Sequence, residues 1–182
     1  MRSRISGRRY AHVLGVARAG ARLAALHGAS SSAARVAGVV HDIAREWTPD
    51  ALLEYAKRHD LVTTPTERAM PVLLHAPVAA DVARREFGIE EEEILSAIAA
   101  HTVARRGMSV LDKCVFVADA VEPSRTFADR PALWQLAQRD LERAFFSCVK
   151  SSILYLLGRG VPIASQTVEV YNDMVLRYGQ AS

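Results

Sequence analysis

Apolar residues recur three and four positions apart along almost the whole chain, the pattern of amphipathic helices. Tyr10, Val13, Leu14 and Ala17 mark one face of a first helix, which Gly28 stops. A second helix is predicted over residues 30–46, opened by serines that can act as N-caps. Thr48 followed by Pro49 opens a third helix ending near Arg58, since proline is tolerated in a first helical turn. Pro65, Pro71 and Pro77 punctuate the next stretch, so loop or broken helix is expected there, with regular helix only toward Gly88. The run IEEEEILSAIAAHT places acidic side chains in a first turn, where the helix dipole favours them. Ser109 caps a helix that Pro123 ends, and its β-branched segment CVFVADAV also fits a strand. One long helical region is predicted from Pro131 to Leu157, ended by Gly158 and Gly160. A last helix runs from Ser165 or Thr167 toward Tyr178. With no repeat or linker, the expectation is a single all-α domain over residues 1–182.

Composition narrows the class. The 182 residues carry a net charge of +3, half are apolar, and lysine occurs only at Lys57, Lys113 and Lys150. The cations are therefore mostly arginine, which suits bidentate phosphate recognition. No block of like charge marks a nucleic-acid arm, so small phosphorylated ligands fit the balance at least as well. Cys114 and Cys148 form no CxxC, which removes a thiolate zinc knuckle and a disulfide framework. No run of about 18 apolar residues exists to span a membrane, and no apolar segment follows the basic start as a signal peptide would require. A cytoplasmic protein is the expectation.

The chemistry lies in histidines and aspartates that interrupt apolar faces. His41 and Asp42 end the apolar run AGVVHDIAREW. His101 follows Ile94 and Ile98 on one stripe, His12 shares a face with Val16, Gly20 and Leu23, and Asp119 follows Leu111 and Val115. A lone histidine on such a face is more often a hydrogen-bonded core residue than a ligand. A buried carboxylate, however, is costly unless paired or bound to a cation. Several such positions on different helices favour a shared metal, for which imidazole and carboxylate are suitable ligands. Neighbouring side chains on a helix diverge by about 100° yet can converge on one ion beside it. Asp42, with two oxygens, could hold one ion or bridge two, and an interruption of the helix at this point would serve that purpose. His27 and His59, near helix ends among polar neighbours, read as solvated, and the EEEE run at 90–93 reads as a solvated first turn.

A histidine, then His-Asp, then a later aspartate in a helical chain resembles the HD-domain metal-dependent phosphohydrolases. The further motifs LLHAP, AIAAHT, GMSVLDK, VADAVEPSR and IASQTVEVYN, in this order from Tyr10 to Asn172, are similar to the YqeK family within them. That family comprises the symmetrical bis(5'-nucleosyl)-tetraphosphatases. The resemblance implies an HD-type helical bundle with His12, His41, Asp42 and Asp119 holding iron, as one or two ions, with manganese, zinc or magnesium as substitutes. It assigns catalytic roles to His75, His101 and Asp42. It implies substrate contacts for His12, Arg45, His75, His101, Thr102, Asp119, Arg125, Gln166 and Thr167. For four of these an ordinary structural role competes: Arg45 could simply end a helix, Arg125 could be exposed in a polar loop, and Gln166 and Thr167 could cap the last helix.

The implied activity is cleavage of a dinucleoside polyphosphate, diadenosine tetraphosphate, into two ADP by a metal-activated water. Another HD nucleotide phosphohydrolase activity, on a nucleoside mono- or diphosphate, is the nearest alternative. A non-catalytic nucleotide-binding module is a rival of a different class, although every expected ligand is present. A helical RNA-binding protein rests on the basic balance alone. No membrane or nucleic-acid partner is expected, and a homodimer is left open.

Overall fold

The computed structural model describes residues 4–178. Among these the regular structure is helical: α1 Gly7–Leu26, α2 Ser31–Val40, α3 Pro49–Arg58, α4 Pro65–Ala69, a 3₁₀ turn Pro71–Leu74, α5 His75–Phe87, α6 Glu92–Ala99, α7 Val110–Val121, α8 Arg130–Arg139, α9 Leu141–Gly158 and α10 Ser165–Tyr178. CVFVADAV is helix, inside α7. Local chemistry sets the ends. Ser6, Ser30 and Thr48 accept from the backbone N–H three residues on, and Thr64 and Ser109 each form a capping box with Glu67 and Asp112. Gly88 closes α5 with φ 65°, a left-handed value that glycine adopts without strain.

Two predicted helices are shorter than the apolar pattern suggested. α2 stops at Val40, and residues 41–46 continue as turns in which Ile43, Arg45 and Trp47 donate to carbonyls three residues back. The helix is thus interrupted at the His-Asp pair. The region from Pro131 to Leu157 is broken at Asp140, which is extended (φ −147°, ψ 93°) and accepts from the Arg143 N–H at 3.0 Å. Asp140 acts as an N-cap, and a side chain that bonds its own backbone competes with helix continuation.

One core joins the helices. α7 lies at its centre, packed on α1, α2, α6, α8 and α9, with Cys114, Val115, Val117 and Ala118 fully enclosed. Leu23, Ile43, Leu52, Leu74 and Ile98 are also almost completely buried. Each such side chain contributes roughly 1.5–3 kcal/mol relative to exposure.

α1 and α2 share the most extensive contact, and small residues set its closeness. A Cβ on Gly38 would lie 2.6 Å from Ala17 Cα and 2.7 Å from Ala17 N, backbone atoms that cannot move aside. Gly38→Ala is therefore expected to destabilise by roughly 1–3 kcal/mol, the usual range for overpacking. A thermal melt equal to wild type would show that the two helices are free to separate. The Gly38 carbonyl also holds His41, so this packing and the site depend on the same residue.

Candidate metal centre

Four imidazoles and two carboxylates meet where α1, the end of α2, the start of α5, the end of α6 and the last turn of α7 converge. His12, His41, Asp42, His75 and His101 are all buried. Asp119, expected on a buried face, keeps a quarter of its side chain exposed because it opens onto a cavity rather than into the core.

Each histidine is oriented through Nδ1. His41 donates from Nδ1 to Gly38 O at 2.8 Å, His101 to Ile98 O at 2.7 Å, and His75 to Val72 O. These carbonyls belong to the last turns of α2, of α6 and of the 3₁₀ turn, where the regular helical donors run out; Val72 O and Ile98 O also accept backbone N–H groups from just beyond those ends. His12 pairs through Nδ1 with Glu122 Oε1 at 2.9 Å. All four rings thus turn Nε2 toward one another.

Asp42 stands between two pairs of these atoms. Its Oδ2 is 3.6 Å from His12 Nε2 and 3.5 Å from His41 Nε2. Its Oδ1 is 3.3 Å from His75 Nε2 and 3.6 Å from His101 Nε2. Two triads result, each compact enough for one ion: His12–His41–Asp42 and Asp42–His75–His101. Asp119 Oδ1 adds a carboxylate 3.0 Å from His12 Nε2 and 3.9 Å from His41 Nε2.

The donor set fits a metal on its own chemistry. His12 Nε2 and His41 Nε2 are buried with no hydrogen-bond partner, despite the nearby carboxylate oxygens. With Nδ1 carrying the proton, each Nε2 is a lone pair facing another acceptor. His75 Nε2 and His101 Nε2 are likewise only 3.0 Å apart. Acceptors crowded in a buried space repel unless a cation lies among them. The cluster is a divalent metal site.

The protonation states of His41, His75, Asp42 and Asp119 agree with this. Burial, reinforced by His101, lowers the His41 pKa from 6.5 to about 4, against the pull of Asp42 and Asp119. Burial also lowers that of His75. Burial opposes ionisation of Asp42, but the His101 and His75 imidazoles hold its carboxyl well below the usual carboxylate range. Burial likewise opposes ionisation of Asp119, and His12, His41 and Arg125 outweigh it. His12 moves the other way: burial acts to lower its pKa, but Asp119 and Glu122 raise it.

A pH dependence follows, with a definite sign. As pH falls from about 6.5 toward about 4, His41 is protonated in the unfolded chain but not in the folded one, so its contribution to stability is lost across that window. His75 acts in the same direction and His12 in the opposite one. The large displacement of His41 sets the expected sign, so the chelated protein should melt at lower temperature at pH 4.5 than at pH 7. Metal affinity should weaken over the same range, because protons compete for Nε2. Melting curves and metal titrations between pH 4 and 8 check both, and pH-independent metal binding would contradict the ligand assignment.

Above the cluster lies a cavity of about 580 Å³, lined by Arg9, Arg45, Arg125 and Arg159 together with Thr102 and Tyr155. Thr102 Oγ1 is 3.2 Å from His75 Nε2. Arg125 donates from Nη2 to Asp119 Oδ1 at 2.6 Å and from Nε to Asp119 O at 2.9 Å. Arg9 donates from Nη1 to Asp42 Oδ2 at 2.5 Å. Arg159 lies over the Tyr155 ring, its guanidinium carbon 5.7 Å from the centroid.

Gln166 and Thr167 stand apart from this group. Gln166 lines a separate recess with Glu67 and Val103, and the buried Thr167 hydroxyl donates to Ala104 O at 3.4 Å. Their segment reaches the cavity through Val161. His27 and His59 are half-buried rather than solvated. His27 Nε2 is 2.7 Å from Ala137 O, and His59 stacks on Tyr55 at 4.2 Å.

Arg9, Arg159, Tyr155 and Glu122 did not stand out in the sequence. Arg9 was detectable as the residue one turn before His12, and Glu122 as an acid three positions after Asp119 on the same apolar helix.

A helical bundle that gathers four histidines and two aspartates beneath an arginine-lined cavity has the construction of a metal-dependent phosphohydrolase. The HD domain family matches residues 9–124, a span that holds the whole cluster. The chain belongs to the HD domain family, in the branch of its symmetrical bis(5'-nucleosyl)-tetraphosphatases. It is similar to the symmetrical bis(5'-nucleosyl)-tetraphosphatase of Bacillus subtilis (strain 168), at 33% identity over 96% of this chain and 94% of the relative. The protein of the same name from Halalkalibacterium halodurans is 36% identical over 92% of this chain and 89% of its own length. Among solved structures, an HD superfamily hydrolase from Clostridium acetobutylicum, described as involved in NAD metabolism, superposes with a TM-score of 0.92. It is 30% identical, and the match covers 96% of this chain and 93% of that one. Among the described residues no helix is long and apolar enough to cross a membrane.

Proposed function

We propose that the chain hydrolyses diadenosine tetraphosphate symmetrically to two ADP, with iron as its resident metal. The observation that carries this reading is the vertical order of the site. A cluster suited to divalent cations forms the floor, and four arginines surround the cavity above it. That order suits a polyphosphate, whose several charges need more than one positive partner. The names of the 33% and 36% identical relatives supply the class of substrate, a bis(5'-nucleosyl) tetraphosphate cut symmetrically, and adenine as its base follows from the family resemblance of the sequence.

His12, His41, Asp42 and Asp119 would hold one ion, and Asp42 with His75 and His101 would hold a second. Bound divalent cations supply Lewis acidity, which makes water a better nucleophile and offsets charge on phosphate oxygens. The remaining work belongs to the chain. Arg45, Arg125, Arg9 and Arg159 hold phosphate oxygens, and Thr102 orients the group beside His75. Tyr155, at the cavity wall, offers its ring to a base. Water oxygen forms a new bond to one inner phosphorus while the bridge to the other inner phosphate breaks. One ADP carries the new P–O bond, and the bridging oxygen departs with the other. The leaving oxygen becomes a terminal oxygen of a nucleoside diphosphate, which, like a phosphate monoester, has its last pKa not far from about 6, so this group needs little protonation at neutral pH. With only the first position filled, Nε2 of His75 or His101 is free to accept the proton that water gives up.

Product analysis tests the reading. Metal-loaded protein acting on diadenosine tetraphosphate in ¹⁸O-water should give ADP alone, with one label in half of the β-phosphoryl groups. AMP with ATP, free phosphate, or no turnover would overturn it. Metal analysis of freshly purified protein should find iron; manganese, zinc or magnesium in its place would revise the cofactor and leave the substrate standing.

A further inference from the structure

Three of the four histidines are oriented by carbonyls at helix ends, and His12 is not. It lies inside α1, where the carbonyl three residues back, Arg9 O, is committed by the helical pattern to the Val13 N–H. An imidazole in a helix interior has no free backbone acceptor, so its Nδ1 proton must go to another element. Glu122, at the end of α7 and almost completely buried, provides the acceptor.

Glu122 is itself fixed as an acceptor on both oxygens. Oε1 receives His12 Nδ1–H at 2.9 Å and the Ser124 hydroxyl, and Oε2 receives the Ser124 N–H at 2.8 Å. Gly15, one turn beyond His12 on the same face, leaves room for this carboxylate, since a Cβ there would collide with Glu122 Oε2. Three residues from two segments thus converge on one proton position.

We infer that Glu122 is the positioning residue for His12: its carboxylate holds the proton on Nδ1 and so presents Nε2 as a lone pair to the metal. The inference rests on the metal reading of the cluster. Glu122 touches no ligand atom of the other histidines and acts through His12 alone. A metal-ligating imidazole whose other nitrogen is bonded to a carboxylate is a stronger and better oriented ligand. Glu122→Gln cannot reproduce the arrangement. Either the amide NH₂ faces the Ser124 N–H, donor against donor, or it faces His12 Nδ1 and drives the proton to Nε2.

The test is Mn²⁺ titration of full-length chelated protein, following free Mn²⁺ by electron paramagnetic resonance. Glu122→Gln should raise the Mn²⁺ Kd by roughly 10–100-fold, the usual effect of losing such a partner. Gly15→Ala, which keeps the carboxylate and displaces it, should raise Kd in the same direction. In the Zn²⁺-loaded wild type, ¹H–¹⁵N spectra should show a His12 Nδ1–H resonance that is lost or shifted in both variants. This wild-type resonance needs no variant to fold, and its absence would overturn the inference. So would a variant Kd within about twofold of wild type, or a raised Kd with the resonance unchanged; the scale of comparison is the 10–100-fold expected. A wild-type protein that binds no Mn²⁺ or Zn²⁺ would overturn the metal reading itself, which is a separate result.

Discussion

Asp42→Asn is expected to remove nearly all activity, roughly 10³-fold in kcat, and most of the bound metal with it. The substitution keeps volume and polarity, so packing gives no reason for the fold to fail. It removes the charge that lies within 3.6 Å of Nε2 on all four histidines. An amide also offers only one oxygen, so it cannot present an acceptor to both triads. One triad loses its carboxylate whichever way the amide turns. Metal raises the melting temperature of the wild type if it binds only the folded state, and that increment should shrink in the variant. Three measurements on one preparation suffice: metal content, turnover, and melting temperature with and without chelator. An active Asp42→Asn protein with full metal occupancy would refute the site as drawn.

The second large effect separates the two halves of the cluster. His75→Ala and His101→Ala should each lower turnover by roughly 10²-fold, the scale of losing a group that stabilises developing charge. Both variants leave the His12–His41–Asp42 triad intact, so they should still bind close to one ion per chain. His27→Ala and His59→Ala provide the contrast. His27 ties the end of α1 to α8 through Ala137 O, and His59 stacks on Tyr55, both away from the cavity. Their loss should lower the melting temperature through about 1 kcal/mol of lost interaction and leave turnover of the folded protein unchanged. Comparable loss of turnover in all four variants would mean that burial, not membership of the cluster, determines the effect.

The helical fold was legible because its signals are local. Caps, prolines and the period of apolar residues act within a turn or two, and Ser30, Thr48 and Ser109 do what their positions suggest. Asp140 was harder to read, since an aspartate inside an apolar-periodic run can face solvent or break the helix. His12, His41, Asp42, His101 and Asp119 were legible as polar groups where an apolar face should continue, and His75 through the motif it sits in. Glu122 was not, because its role depends on a partner 110 positions earlier in the chain. Apart from the place of Arg9 one turn before His12, nothing in the local sequence singles out Arg9 and Arg159, and only the folded chain places them around one cavity. Gln166 and Thr167 show the converse. Thr167 is buried and bonds to Ala104 O, while Gln166 is exposed beside a separate recess, and neither position on the last helix could be read from its local sequence.

The helix ends that orient three of the histidines have an electrostatic consequence. A helix C-terminus carries about half a negative charge, and α2 and α6 both end at the cluster, beside Asp42, Asp119 and Glu122. The floor of the cavity is therefore strongly negative, while its arginine walls are positive. A polyphosphate would be drawn to the walls and repelled from the floor for as long as no cation is bound. The expected order of loading is metal first and nucleotide second, with nucleotide binding weaker to the chelated protein than to the metal-loaded one. Nucleotide affinity becomes a measure of how completely the floor has been neutralised.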